Sequence, residues 1–274
     1  MKRILVTLVA AAILWRGAFT SVAQDSPTSE PSVRMLQKVI PAVVCITTED
    51  DGRRGRNATD GMSDALFGTD PQGRRTLGTG SGFFTSADGY VVTNEHVVRE
   101  ASKDGISVTT QDGTTFPARL IQADAKRDLA LLKVVPKEPF TFIRLDDLSP
   151  NLLGQSVFAI GNPKNLGMSV TRGILSARAR TIRLGVEEIP DLVQTDVAIN
   201  PGNSGGPIVD LSGKLVAVSC IGFFGGERQR TVGLNFGVAG NVVRMKIEEF
   251  LRDAGGAPKP KPKPALGPGG IPGL

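Results

Sequence analysis

A serine flanked by glycines gives the strongest chemical signal in this chain of 274 residues. Ser204 lies in the segment from Asn200 to Pro207, which reads NPGNSGGP. A serine hydroxyl attacks a carbonyl efficiently when a base removes its proton, and the oxyanion that forms needs hydrogen-bond donors already in place. Glycines let the backbone turn sharply, so the N–H groups of Gly202 and Ser204 could point into one such hole. Taken alone, the same segment is also compatible with a glycine-rich β-turn.

The chain has one histidine, so any imidazole base must be His96. It lies in the segment VVTNEHVV, where we expect an apolar strand to give way to a turn. An imidazole base needs a carboxylate that holds it in the correct tautomer. Asp128 is the main candidate because it directly precedes the apolar segment LALLKV, and Asp124 and Asp196 are its competitors.

Short strands separated by turn signals must position these residues. Two series of such strands, one before and one after Asn151, predict an all-β fold of two antiparallel six-stranded barrels. Asp88-Gly89 and Asp112-Gly113 are typical of the turns between them. One long helix is predicted from Asn241 to Ala254, because Gly255-Gly256 forms a stop signal.

Taken together, the motifs resemble those of a known protease family. The order His, Asp, Ser, with the segments TNEHVV, DLALLKV and GNSGGP, is similar to that of the HtrA/Deg branch of trypsin-like serine proteases. The segments GQSVFAIGNP, VTRGILSA and QTDVAIN also resemble this family. The resemblance covers roughly residues 33 to 253, and it implies the chymotrypsin/trypsin-like arrangement of two barrels with a C-terminal helix.

The resemblance assigns a role to each candidate residue. His96 would be the general base, Asp128 the carboxylate that orients it, and Ser204 the nucleophile. The oxyanion hole would be formed by the backbone at Gly202, Asn203 and Ser204.

The resemblance also implies a specificity pocket. In trypsin-like enzymes the residue six positions before the serine lies at the base of this pocket, and here it is Ala198. The predicted lining residues are Ala198, Ile199, Ser219, Cys220 and Ile221. Because no carboxylate is present at the base to hold Lys or Arg, we expect cleavage after small or medium apolar residues.

The N-terminal segment predicts export. Lys2 and Arg3 precede an apolar run from Ile4 to Trp15, and a small-residue site ends at Ala23, which is typical of a secretory signal peptide over residues 1–23. The run is short for a membrane span, although an uncleaved anchor is the alternative. We therefore expect a periplasmic or secreted protein that is not stably inserted in a membrane after cleavage.

The remaining domain boundaries follow from composition and from the resemblance. We predict a protease domain over residues 24–256, with barrel one at about 36–143, barrel two at about 150–240 and the helix at 241–254. Residues 257–274, rich in Pro, Lys and Gly, predict a disordered tail. The family usually carries C-terminal PDZ domains, and the residues after the helix are too few for one, so a protease domain without a PDZ domain is expected.

Charge and cysteine content limit the possible partners and cofactors. The net charge of +5 comes from basic residues in the predicted signal and tail, and the nearly neutral remainder argues against nucleic-acid binding. Cys45 and Cys220 could form a disulfide in an oxidising compartment or remain buried thiols. With one histidine and no nearby cysteine pair, the sequence predicts no zinc site. Acyl transfer through Ser204 is expected to need no metal or organic cofactor.

The sequence thus predicts a serine endopeptidase that hydrolyses unfolded or damaged exported polypeptides through an acyl-enzyme at Ser204. The family resemblance also suggests a homotrimer. The alternative is a protease-fold chaperone or binding scaffold that has little activity at rest.

Overall fold

A computed structural model describes residues 30–50, 75–102, 104–162, 167–184, 187–200, 202–225 and 229–255. The predicted signal peptide and the predicted tail lie outside these residues. The chain divides into two units, Met1–Arg34 and Met35–Leu274. Helix α1 (Pro31–Val39) spans this division, and all other described elements belong to the second unit.

Barrel one is a seven-stranded antiparallel sheet with the spatial order β5-β4-β1-β2-β3-β7-β6. Its strands are β1 (Val43–Asp50), β2 (Arg75–Phe84), β3 (Tyr90–Thr93), β4 (Ile106–Thr109), β5 (Thr115–Pro117), β6 (Arg119–Asp124) and β7 (Leu129–Lys133). Strands β5 and β6 form opposite edges of this sheet, yet Ala118 alone separates them in the chain. The sheet must therefore curl until its two edges approach each other.

Strands β5 and β6 are separate elements, although they follow one another almost directly in the chain. Pro117 has no N–H to donate to a sheet, so a strand is readily interrupted there. The N–H of the next residue, Ala118, donates to the carbonyl of Ile106 at 2.9 Å. The backbone changes its pairing partner at this point, and barrel one has seven strands instead of the predicted six.

Barrel two is a closed six-stranded barrel with the order β10-β13-β12-β11-β8-β9. Its strands are β8 (Ser156–Gly161), β9 (Ser169–Leu184), β10 (Glu187–Thr195), β11 (Pro207–Asp210), β12 (Leu215–Gly225) and β13 (Gln229–Ala239). All of its strand pairs are antiparallel. Helix α3 (Gly240–Asp253) follows β13 directly and contacts β12 and β13 of barrel two as well as β6 and β7 of barrel one. The predicted all-β fold with two barrels and a C-terminal helix is confirmed.

Strands β2, β3 and β7 of barrel one carry buried side chains on both faces, which in β3 are those of Val91 and Val92. Successive side chains of a strand point to opposite faces, and in β2 both Phe83 and Phe84 are fully buried. Phe83 packs in the same apolar cluster as the core of barrel two, whereas Phe84 packs in the interior of barrel one. Leu131 and Leu132 of β7 divide between the two clusters in the same way. This double burial explains the unbroken apolar runs in the sequence, and these strands form the wall between the barrels.

No helix among the described residues is long and apolar enough to cross a bilayer.

Candidate active site

The candidate base and its carboxylate come from the ends of two paired strands in the wall between the barrels. Strands β3 and β7 are neighbours, and Thr93 at the end of β3 pairs with Ala130 near the start of β7. His96 lies in the single helical turn α2 (Glu95–Val98) that follows β3, and Asp128 immediately precedes β7. Antiparallel pairing therefore brings the two side chains to the same edge of the sheet.

The Asp128 carboxylate binds both the ring and the backbone of His96. His96 Nδ1 lies 2.7 Å from Oδ2 and 2.9 Å from Oδ1, and the His96 backbone N–H donates to Oδ1 at 2.9 Å. The first N–H groups of a helical turn have no partner within the helix, so the carboxylate also satisfies one of them. Asn94 Nδ2 donates to the Asp128 carbonyl at 2.8 Å. Asp128 is buried, whereas about a third of the His96 side chain (33%) is exposed.

Asp128 adopts a backbone conformation that residues other than glycine rarely occupy. Its φ is 53°, in the left-handed region. Such a conformation persists where surrounding contacts over-determine it, and four hydrogen bonds to Asp128 supply those contacts. The strained turn directs the carboxylate out of the strand and towards the imidazole.

Cys220 supplies a further contact that connects the two barrels. Its Sγ, on β12, donates to Asp128 Oδ2 at 3.1 Å. Burial raises the pKa of this thiol well above its usual range, and the negative charge of Asp128 raises it further. The thiol is therefore protonated and acts as the donor. No disulfide joins Cys220 to Cys45, and both cysteines are buried thiols.

Ser204 lies on the loop between β10 and β11, which is held against barrel one. The carbonyl of Ser204 accepts a hydrogen bond from the N–H of Ser81 at 2.8 Å, and Ser81 Oγ donates to the carbonyl of Gly202 at 2.5 Å. On the other side, the N–H of Gly205 donates to the Ser219 carbonyl at 2.8 Å. These bonds fix the loop between β2 of barrel one and β12 of barrel two.

The Ser204 hydroxyl itself donates to the carbonyl of Cys220 at 3.2 Å. Within the described residues, no hydrogen bond joins this hydroxyl to His96. Cys220 thus contacts both parts of the site, since its thiol binds Asp128 and its carbonyl binds Ser204. The structure brings His96 and Asp128 into direct contact and connects Ser204 to them through Cys220.

The predicted oxyanion-hole residues differ in the availability of their N–H groups. The N–H of Asn203 donates to the Asn200 carbonyl at 2.9 Å, so it is directed into the loop. No acceptor among the described residues engages the N–H of Gly202 or of Ser204. Gly202 has a φ of 100°, a value that favours glycine. The geometry therefore favours Gly202 and Ser204, rather than Asn203, as oxyanion donors.

A protein-family comparison matches this region of the chain. The model for the trypsin-like peptidase domain matches residues 80–218, which include His96, Asp128 and Ser204. The chain belongs to the trypsin-like peptidase family. Both members of the His96–Asp128 pair lie in barrel one of this trypsin-like peptidase, and Ser204 precedes β11 of barrel two.

Individual relatives of this trypsin-like peptidase are bacterial proteases. It is 44% identical over 179 residues to the probable periplasmic serine endoprotease DegP-like of Bartonella henselae, covering 65% of this chain and 34% of that protein. It is 35% identical over 235 residues to the periplasmic pH-dependent serine endoprotease DegQ of Escherichia coli, covering 84% of this chain and 50% of that protein. The chain therefore spans between a third and a half of the length of these relatives. The resemblance to HtrA-type proteases is confirmed.

A solved structure supports the same fold. A crystal structure of a serine endoprotease from Yersinia pestis is 30% identical to this trypsin-like peptidase and superposes with a TM-score of 0.59, covering 80% of this chain and 66% of the other.

The residues predicted for the specificity pocket differ in their burial. Ala198 is exposed, and its carbonyl accepts a hydrogen bond from Thr171 Oγ1 at 2.8 Å. Ile199 and Ser219 are buried, with 7% and 1% of their surface exposed. The Cys220 side chain contacts Asp128. The side chain of Ile221 lies outside the described residues.

The two competitors of Asp128 have other partners. Asp124 Oδ2 lies 3.0 Å from Lys246 Nζ, and Asp196 Oδ1 accepts the N–H of Ile174 at 2.6 Å. Neither carboxylate binds His96, which is held by Asp128 alone among the described residues.

Sequence reasoning did not identify Cys220 as a neighbour of Asp128 or Ser81 as an anchor of the Ser204 loop. No motif marks either residue, because each acts on a partner far away in the chain. Within the described residues, no group of three or more His, Cys, Asp or Glu side chains could hold a metal ion.

Proposed function

We propose that this protein is an exported serine endopeptidase of HtrA type, in which His96, Asp128 and Ser204 form the catalytic triad. The observation that carries the proposal is the hydrogen-bonded His96–Asp128 pair, 2.7 Å apart, linked to the Ser204 hydroxyl by Cys220. The names of the DegP-like and DegQ relatives support both the reaction and a periplasmic location.

The proposed reaction proceeds through a covalent intermediate. The Ser204 hydroxyl leaves the Cys220 carbonyl and attacks a peptide carbonyl while His96 Nε2 takes its proton. Asp128 keeps the Nδ1 proton in place and stabilises the imidazolium. The N–H groups of Gly202 and Ser204 stabilise the oxyanion, and His96 then protonates the departing amine. Water then attacks the acyl-enzyme while His96 takes its proton, and His96 returns this proton to Ser204 Oγ as the new carboxylic acid leaves.

The proposed substrates are unfolded or damaged exported polypeptides, cut after small or medium apolar residues. The family resemblance supports this specificity: it assigns Ala198 to the base of the pocket, and an alanine there would offer no carboxylate to a Lys or Arg side chain. A homotrimer remains the expected assembly on the basis of the family resemblance.

A second candidate function has one observation in its favour. The Ser204 hydroxyl donates to the Cys220 carbonyl instead of to the base, an arrangement that would not activate it. A protein in this state could bind unfolded chains without cutting them quickly. A chaperone or binding scaffold of low activity is therefore the alternative to the endopeptidase.

One experiment separates the two functions. The purified protein is incubated with unfolded casein beside a Ser204→Ala variant, with Ser212→Ala as a matched control because Ser212 is exposed on a hairpin turn. As an endopeptidase, the protein and the control should cut casein at equal rates, and Ser204→Ala should lower turnover by a factor on the order of a million. Mass spectrometry of the fragments reads the residue before each cut.

Two outcomes contradict parts of the proposal. Equal suppression of casein aggregation by all three proteins with no cleavage would support the binding scaffold and reject the endopeptidase. Cleavage mainly after Lys or Arg would reject the proposed specificity while leaving the triad in place.

A further inference from the structure

A network of charged side chains joins the two barrels beside Asp128. The turn over residues 124–128, between β6 and β7, is closed by a hydrogen bond from the Arg127 N–H to Asp124 Oδ1 at 3.1 Å. We call it the Asp128 turn. The side chains of Asp124 and Arg127 in this turn reach out of barrel one, and each meets a different element.

The first bridge connects the Asp128 turn to barrel two. Arg127 Nε donates to Asp191 Oδ2 at 3.2 Å, and Asp191 lies in β10. Asp191 has a φ of 64°, so it too occupies the left-handed region. The bridge therefore connects two left-handed backbone positions. Asp191 occupies one of them, and Arg127 directly precedes the other, Asp128.

The second bridge connects the same turn to helix α3. Asp124 Oδ2 lies 3.0 Å from Lys246 Nζ, and the side chains of both residues are little exposed, at 13% and 14%. Burial alone would raise the pKa of Asp124, but the hydrogen bonds from Lys246 and from the Arg127 N–H lower it overall. Glu249 also binds Lys246, at 2.8 Å. The Lys246 ammonium thus lies between two carboxylates.

The position of this network matters because the candidate triad is divided between the barrels. His96 and Asp128 belong to barrel one, and Ser204 belongs to a loop of barrel two. A small shift of one barrel against the other would change the distance between imidazole and hydroxyl without breaking the His96–Asp128 pair. Such misalignments lower rates strongly, since displacement by about 1 Å can cost about a hundredfold.

We infer that Arg127 is a positioning residue. Its ion pair with Asp191, together with the Asp124–Lys246 pair, fixes the alignment of the two barrels. This alignment in turn sets how closely Ser204 approaches His96. This inference rests on the proposed function. Exposed ion pairs contribute little to stability, so the expected effect is on alignment, and it is sensitive to salt because Arg127 and Asp191 are partly exposed.

The test compares Arg127→Ala and Lys246→Met with the wild type in two assays. One is hydrolysis of a peptide substrate, and the other is phosphonylation of the active serine by a small aryl phosphonate, which releases a phenol. Arg144→Ala is the matched control, because Arg144 forms an exposed ion pair with Asp146 and lies outside the network. We expect kcat and the labelling rate to fall about tenfold or more in both test variants, with KM changed less than about twofold. The control should match the wild type.

Two readouts separate alignment from a general loss of stability. Raising the ionic strength to about 1 M, where the screening length is about 3 Å, should lower the kcat of the wild type but not that of Arg127→Ala. The downfield proton NMR signal of His96 Nδ1 should persist in Lys246→Met, whose substitution does not adjoin Asp128. The wild-type salt response provides a test even if Arg127→Ala fails to fold.

The failures of the two proposals are distinguishable. An active wild type with test variants that match Arg144→Ala, or a wild-type kcat independent of salt, would overturn the role of Arg127 and leave the endopeptidase standing. A wild type that neither hydrolyses the peptide nor reacts with the phosphonate would overturn both.

Discussion

Gly205, directly after Ser204, should tolerate no side chain. Its φ is 84°, and a Cβ there would lie closer than van der Waals contact to the Ser81 carbonyl oxygen and to Thr93 Oγ1, and 3.0 Å from the Asn94 backbone N. All three neighbours are buried parts of barrel one. They cannot move without disturbing β3 and the helical turn α2 that carries His96. A Gly205→Ala substitution should therefore push the Ser204 loop away from barrel one.

The chain offers a control with the same backbone conformation. Gly113, in the turn between β4 and β5, also has a φ of 84°, but a Cβ there would meet nothing within 4 Å. Gly113→Ala should cost only the left-handed strain, about 1–2 kcal/mol. Gly205→Ala should cost this strain and, in addition, about 1–3 kcal/mol for the overlap. The difference between the two variants isolates the close packing of the loop.

Urea unfolding of both variants gives the difference in stability, and peptide hydrolysis gives kcat. We expect Gly205→Ala to lower kcat at least about a hundredfold, because the loop shift displaces the neighbouring Ser204, while Gly113→Ala retains wild-type turnover. Equal stability and equal turnover of the two variants would refute the packing argument for the Ser204 loop.

Two further predictions follow from the perturbed pKa values. The folded protein lowers the pKa of Asp124 below its ordinary 3.8, so the stabilisation by the Asp124–Lys246 pair is present above about that pH and is lost as pH falls through the lowered value. Asp124→Asn should therefore lower the free energy of unfolding by about 1–2 kcal/mol at pH 7, and this difference should shrink in acid. Urea titrations of both proteins at several pH values measure the difference, and a difference independent of pH would contradict the prediction. Burial and the charge of Asp128 raise the pKa of Cys220, so in a Cys45→Ala background its thiol should resist a disulfide reagent at pH 8 until urea unfolds the protein. Rapid labelling of the native protein would contradict that assignment.

The sequence alone determined the chemistry that the site can perform. A single histidine leaves one possible imidazole base, and a serine in the glycine-rich segment GNSGG marks the nucleophile loop. The apolar runs of β3 and β7 indicated strands because alternation disappears when both faces of a strand are buried. These are local properties of composition and order, so they were readable before any contact was known. The family resemblance then favoured Asp128 over Asp124 and Asp196.

The tertiary structure decided how these groups meet. Cys220 binds Asp128 from 92 positions further along the chain, and Arg127 reaches Asp191 across 64 positions. No periodicity or motif encodes such pairs, because they depend on how β7, β10 and β12 are placed in two different sheets. The hydrogen bond from Ser204 to the Cys220 carbonyl is likewise not readable from the sequence. Its acceptor is a backbone oxygen, which every residue type has. Residue types set the available reactions, and only the packing of the two barrels sets the distances between the reacting groups.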